Sequence, residues 1–273
     1  TNNFSAEHGQ TANGIIDLTT KSGTNEAYKE FFFVTRPGPA IDGTPEFAQR
    51  DLSGNQVKNG FQRYQGGFAL GGALKKDRTF YFLNFEHSTD LKDNALTSNI
   101  LVFNETLRGT NHFTYFSAKL DHHWSDRWLS SIRLNRGLVN IERQGGGLDG
   151  GVVFPSAGNK QARNSLNLAL KNTYRGDRLV FESNYLLGNF HWDYARPENP
   201  ESPNVTIEAP DGQVAAILGH PGYVFDETEK TVQVQQKISF YSGNHTFKAG
   251  VKFKSSVFSL FGGGNPNGSY VVR

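Results

Sequence analysis

Apolar residues recur at every second position over stretches of about ten residues, a period that suits a β-strand and not a helix. From Thr246 to Val257, Phe247, Ala249, Val251, Phe253 and Val257 alternate with Lys248, Gly250, Lys252, Lys254 and Ser256. From Asn164 to Tyr174, Leu166, Leu168 and Leu170 alternate with Ser165, Asn167, Ala169 and Lys171. Each segment has one greasy face and one polar or charged face. The pattern is weaker at Val232, Val234, Ile238 and Phe240, at Phe116, Ala118 and Leu120, and at Trp128, Ile132 and Leu134. Strands are expected near residues 27–36, 62–74, 79–88, 113–123, 128–136, 163–173, 179–194, 230–240 and 246–258, about nine in all.

The connections narrow the choice further. Lys75–Arg78 (KKDR), Trp124–Arg127 (WSDR), Arg175–Arg178 (RGDR) and Ser242–His245 (SGNH) are short and polar, with the Asp, Gly or Asn that tight hairpins use. Between these hairpins lie long segments, Pro37–Phe61, Thr89–His112, Gly137–Ala162 and Arg196–Glu229. Tight turns alternating with long loops describe an all-β fold, a transmembrane antiparallel β-barrel with short periplasmic turns and long extracellular loops. An immunoglobulin-like sandwich does not require that asymmetry and usually has shorter strands.

Composition agrees once the barrel is in view. A mean hydropathy of -0.53 is the average over lipid-facing, lumen-facing and loop residues. No apolar run approaches the 18 or so residues of a spanning helix. The 28 basic and 26 acidic residues give a formal charge of +2, which leaves no excess for coating nucleic acid. With no cysteine, disulfides, thiolate zinc sites and cysteine nucleophiles are excluded. The chain opens at Thr1 without an initiator methionine or an apolar signal segment and ends at Arg273, which reads as a mature or partial chain.

Residues 9–36 read GQTANGIIDLTTKSGTNEAYKEFFFVTR. This resembles the plug-to-barrel junction of TonB-dependent outer-membrane receptors of the Oar-like group, matching at Gly14, Thr20, Lys21, Ser22, Gly23, Thr24 and Asn25. A second stretch, GGFALGGALKKDRTFYFLNFE at 66–86, is similar to that family's second and third strands. Asp17 departs from the usual Asn, and Ala27, Tyr28 and Lys29 replace Phe-His-Gly. The resemblance implies that residues 1–22 are the C-terminal end of a plug domain and that 23–273 form the N-terminal part of the barrel, about nine strands of a larger plugged, 22-stranded barrel. It also implies a bacterial outer-membrane location, outer-membrane lipid around the barrel, a TonB-type periplasmic energy-coupling protein as partner, and uptake of a ligand captured by extracellular loops.

Other candidate sites are weaker. His122 and His123 are adjacent on a strand and point to opposite faces, so they do not share an ion. Asp226, Glu227 and Glu229 form an acidic cluster in the longest loop without the EF-hand ligand spacing. The glycine runs at 145–147, 150–151 and 262–264 lack the strand-to-helix context of a phosphate loop. No G-x-S-x-G turn is present, and no catalytic residue, metal ligand or cofactor is assigned. Trp124, Trp128, Tyr185, Trp192 and Tyr194 lie near strand ends and suit interfacial girdles. Trp192 and Tyr194, at the mouth of a long loop, are alternatively a pair that stacks on ligand.

The function expected is therefore a non-enzymatic outer-membrane receptor and transporter. Its rivals are a passive or structural outer-membrane barrel and a soluble secreted β-sandwich that binds carbohydrate.

Overall fold

A computed structural model describes residues 19–38, 41, 50, 53–55, 61–143 and 151–273. Among them twelve strands form two sheets. The main sheet has nine strands: β1 (Tyr28–Arg36), β2 (Phe61–Lys75), β3 (Thr79–Ser98), β4 (Phe103–Ser125), β5 (Trp128–Arg143), β6 (Asn159–Arg175), β7 (Leu179–Pro197), β10 (Tyr223–Ser242) and β11 (His245–Gly264). Each pairs antiparallel with its neighbours in that order, a meander whose edges are β1 and β11. The smaller sheet holds β8 (Asn204–Glu208), β9 (Val214–Gly219) and β12 (Ser269–Val272).

The register places like beside like. One ladder runs Leu70, Leu83, Ala118, Leu134, Leu168, Leu187 and Val232 across seven strands. Two positions away on the same face runs Tyr81, Leu120, Ile132, Leu170, Tyr185, Val234 and Phe253. On the opposite face, Asn84, Ser117, Asn135, Asn167, Gly188, Thr231 and Ser256 form a ladder without one apolar side chain larger than glycine. The first face is an exposed, contiguous apolar band, with Leu187 52% and Phe31 74% exposed, of a size that marks a membrane or protein contact. The polar face is the lumen wall. The expected transmembrane β-barrel is thus present as an extended part of its wall.

The strands are longer than the alternation indicates. A transmembrane strand needs about 9–11 residues, whereas β3 has 20 and β4 has 23. The expected loop Thr89–His112 is mostly strand, with only residues 99–102 between β3 and β4. Likewise β5 continues to Arg143 and β6 begins at Asn159, and the stretch expected as a loop after Arg196 contains β8, β9 and the start of β10. At this outer end no contrast between an apolar and a polar side imposes alternation, and Asp93, Asn94, Ala95 and Leu96 are buried in succession; backbone ladders and cross-strand pairs hold the pairing. Arg63 grips Asp90 with two bonds of 2.7 Å, and Arg108 grips Asp93 at 2.7 and 3.0 Å.

The densest packing lies at this outer end. Leu96 and Ala216 are fully buried and His220 is 1% exposed. Residues 151–158, with a single 3-10 turn at Pro155–Ala157, tie the β3–β4 hairpin to β9. Thr97 N donates to Gly151 O at 2.7 Å, Phe154 N to Ile217 O at 2.9 Å, and Phe103 meets Phe154 ring to ring at 5.1 Å. β12 returns from the end of β11 to pair parallel with β8. Asn267 Nδ2 fixes that return by donating to Pro200 O at 2.5 Å.

Candidate functional site

The tight turns 75–78, 124–127, 175–178 and 242–245 share one end of the sheet. The segment before β1 crosses the lumen face close to that end. Ser22 Oγ accepts from Lys119 Nζ at 2.6 Å. Gly23 runs so close over the β2–β3 backbone that a Cβ there would lie 2.6 Å from Gly72 O and 2.9 Å from Gly72 N, and closer still to Tyr81 O. Only glycine permits that approach. Asn25 then clasps the first turn: its Nδ2 donates to Asp77 Oδ1 at 2.5 Å and its Oδ1 accepts from Asp77 N at 2.8 Å. Asp77 needs holding, since its φ of 62° is one that side-chain-bearing residues seldom adopt. Lys21 Nζ sits 5.3 Å from the centre of the Tyr28 ring, and Thr24 Oγ1 donates to Glu26 O at 3.0 Å. Thr20 lines a cavity of about 880 Å³ between this segment and the lumen wall. Gly14 lies outside the described residues, as does the glycine run 145–147.

The wall facing that cavity is basic. Lys119, Arg133, Lys171 and Lys237 line it, against the carboxylates of Asp121 and Glu182. Both carboxylates are already engaged, Asp121 with Lys119 at 3.4 Å and Glu182 with Lys171 at 2.9 Å. Arg133 Nε is buried and has no hydrogen-bond partner among the described residues.

At the outer end of the same face, Trp192 and Tyr194 come together with Phe225 of β10. The Tyr194 and Phe225 rings stack at 5.0 Å and 8°, and Trp192 meets Phe225 edge-on at 4.8 Å. Arg163 lies over Trp192 at 4.4 Å, and Gln161 Oε1 accepts from Arg163 Nη2 at 3.3 Å and from Trp192 Nε1 at 3.4 Å. Gln161 Nε2 is buried without a partner among the described residues. Trp192 pairs with Glu227 and Arg163 in the ladders, positions on the lumen side of the sheet, and not on the apolar band where a girdle residue belongs. Trp128 and Tyr185 do stand on the apolar face, Trp128 in a ladder with Tyr174, Phe181 and Ile238. Trp124 meets Trp128 at 5.5 Å with the rings tilted by 33°, and donates to Ser130 Oγ at 2.8 Å.

Arg163, Gln161 and Phe225 were absent from the sequence reading. Phe225 breaks the period-two rhythm of β10, since Tyr223 and Phe225 stand at odd positions while Val232, Val234, Ile238 and Phe240 stand at even ones. The acidic cluster is on that strand too and not in a loop, because β7 and β11 extend alongside it: Asp226 takes a 2.8 Å bond from His191, and Glu229 accepts from Thr231 at 3.1 Å. His122 and His123 separate, His122 bonding Thr79 Oγ1 at 2.8 Å and His123 meeting Phe80 edge-on at 5.8 Å.

This fold defines the class: a transmembrane β-barrel of the bacterial outer membrane, represented by part of its wall. The chain is Oar-like in sequence, being 24% identical to the TonB-dependent transporter Oar of Myxococcus xanthus over 345 aligned residues that take in 97% of this chain. That agrees with the resemblance to TonB-dependent receptors carried by the junction residues. The alignment spans 32% of Oar, so the chain corresponds to about a third of that relative's length. In fold it is similar to the outer-membrane transporter YddB from Escherichia coli, with a TM-score of 0.54 and 11% identity over 73% of this chain and 26% of that one. No family model matches the chain.

Proposed function

We propose that this chain is the plug-to-barrel junction and N-terminal barrel wall of an outer-membrane TonB-dependent receptor that takes up a ligand captured at its extracellular end. Residues 1–22 are the end of the plug and 23–273 the first nine or so barrel strands. The observation that carries this reading is the segment Thr19–Asn25, which leaves the lumen face, presses Gly23 onto Gly72 and is clasped to the first periplasmic turn by Asn25. A barrel with a plug needs such an anchored exit. Lipid covers the apolar band, and the periplasmic partner is a TonB-type protein that supplies energy to the plug.

Trp192 and Tyr194, with Arg163 beside them, are the ligand-contacting aromatics of the outer mouth. Aromatic faces carry large contact area at little entropic cost, and Gln161 Nε2, unpaired among the described residues, offers a donor beside them. The test is association of the intact receptor, in detergent, with the purified periplasmic domain of its host's TonB-type protein. A saturable complex is expected; absence of any complex contradicts energised transport and leaves a passive barrel.

A further inference from the structure

We propose that Arg136 and Lys230, on the outward face of the wall, hold the phosphate headgroup of an anionic lipid at the outer rim of the membrane. This rests on the barrel reading and is independent of what the barrel transports. Two positions beyond the leucine ladder, toward the long-loop end, the same face carries one further row. In β1 to β4 that row is Phe31, Phe68, Phe85 and Phe116, side chains that suit acyl chains. In the next four strands it is Arg136, Leu166, Asn189 and Lys230. Two cations thus stand on the apolar face, bordered on the short-turn side by Leu134, Leu168, Leu187 and Val232. The face is turned away from the lumen and from the segment Thr19–Asn25 that crosses it.

Their depth follows from the register. Trp128 and Ile238 belong to the aromatic row at the short-turn end, and eight residues separate them from Arg136 (128 to 136) and Lys230 (238 to 230). Eight residues span about 26 Å of strand, or about 20 Å of depth at the usual tilt, against an apolar band about 25 Å tall. Both cations therefore lie near the outer rim, within reach of headgroups for long side chains.

Neither side chain forms an ion pair or hydrogen bond among the described residues. The first carboxylates beyond them on this face, Asp193 and Asp226, stand two rows farther out and are engaged, Asp193 by Arg196 at 2.5 Å and Asp226 by His191 at 2.8 Å. A charged side chain in an apolar setting is unfavourable without a partner. A lipid phosphate supplies that partner, bidentate to the guanidinium and as a point charge to the ammonium, while its acyl chains cover the leucines. Three strand spacings set the two backbones about 14 Å apart, a gap that two long side chains can close on one headgroup, with the exposed Asn189 amide between them. Basic patches at a membrane surface recognise lipid headgroups in this way.

The test is native mass spectrometry of the intact receptor, released from detergent micelles holding equal amounts of dioleoyl phosphatidic acid and dioleoyl phosphatidylcholine. The parent should retain phosphatidic acid in preference. R136Q/K230Q should reduce that preference roughly tenfold or more; K230Q alone should fall between and stands in if the double variant does not fold. K252Q/K254Q removes the same charge from the opposite face, where Lys252 and Lys254 pair with Gln235 and Gln233, and should behave as the parent does. Excess inorganic phosphate should leave the lipid in place, because the acyl chains also bind.

Equal preference in the parent and R136Q/K230Q, or none in the parent, overturns the proposal. Displacement by inorganic phosphate makes the patch a site for free anions, and loss of a co-purifying subunit from R136Q/K230Q makes it a protein contact; either also overturns it. Both lipids retained without distinction remove the headgroup site and leave the barrel standing, whereas no lipid retained by any form counts against the membrane face as well.

Discussion

Gly23 and Gly72, 49 positions apart in sequence, meet so closely that a methyl group on Gly23 would lie 2.6 Å from the Gly72 carbonyl oxygen. The two sequence stretches that carry the family resemblance are thus one structural unit, the first seated on the backbone of the second. Gly23→Val should strain that contact by about 1–3 kcal/mol, as overpacking does. Thermal unfolding of the purified protein should show the lowered midpoint, and Gly71→Ala, whose methyl would touch the Phe82 ring at 3.1 Å, should be milder. Equal, unperturbed midpoints would mean the segment does not sit on this wall.

The two faces of β6 should differ sharply in their tolerance of charge. Leu168 belongs to the leucine ladder across the sheet and Asn167 to the polar ladder beside it. Arginine at Leu168 should cost about 2–4 kcal/mol near the bilayer midplane, while arginine at Asn167 should cost little. Denaturant unfolding in lipid vesicles measures both. Similar losses at the two positions would contradict the assignment of faces.

The outer hairpin depends on its ion pairs. Asp93 is 4% exposed in its side chain and holds Arg108, which is 42% exposed. Asp93→Ala leaves the arginine partly solvated, so the loss should fall near the low end of about 1–3 kcal/mol. Faster proteolysis of residues 88–111 on intact cells is the expected readout, and charge reversal at both positions should restore part of the protection.

Acid should loosen the outer cap. His220 is 1% exposed, its Nδ1 accepts from Gly222 N at 3.1 Å, and burial lowers its pKa below the usual histidine value. A base with a depressed folded pKa contributes stability that is complete above its unfolded pKa of about 6.5 and is lost as pH falls through the folded value. Hydrogen exchange of β8 and β9 should therefore quicken as pH drops below about 6.5, after correction for intrinsic rates. His220→Gln should flatten that dependence.

How much of this was legible in the sequence follows from where water lies. Leu166, Leu168 and Leu170 revealed their strand because lipid on one side and lumen on the other enforce period two. Asp90, Asp93 and Arg108 did not, because in the outer hairpin polar and apolar residues are buried in succession and the strands are held by pairs whose partners lie 15 or more residues away. The junction residues were visible as a motif, but the reason Gly23 must be glycine exists only in the approach to Gly72. Trp192 and Tyr194 were found by type, and their face was not: the Lys160–Ala162 bulge and the early start of β10 are needed to bring Arg163 and Phe225 to them.

The central claim, that this sheet is a barrel wall with lipid on one side and an aqueous lumen on the other, has a direct test. Because the chain has no cysteine, single cysteines introduced one at a time from Ser165 to Lys171 can carry spin labels in the membrane-inserted protein. Labels at Leu166, Leu168 and Leu170 should relax mainly through membrane-soluble oxygen, and those at Ser165, Asn167, Ala169 and Lys171 mainly through a water-soluble nickel chelate. A period-two exchange between the two relaxants is the predicted result, and uniform access to the chelate along β6 would contradict the account.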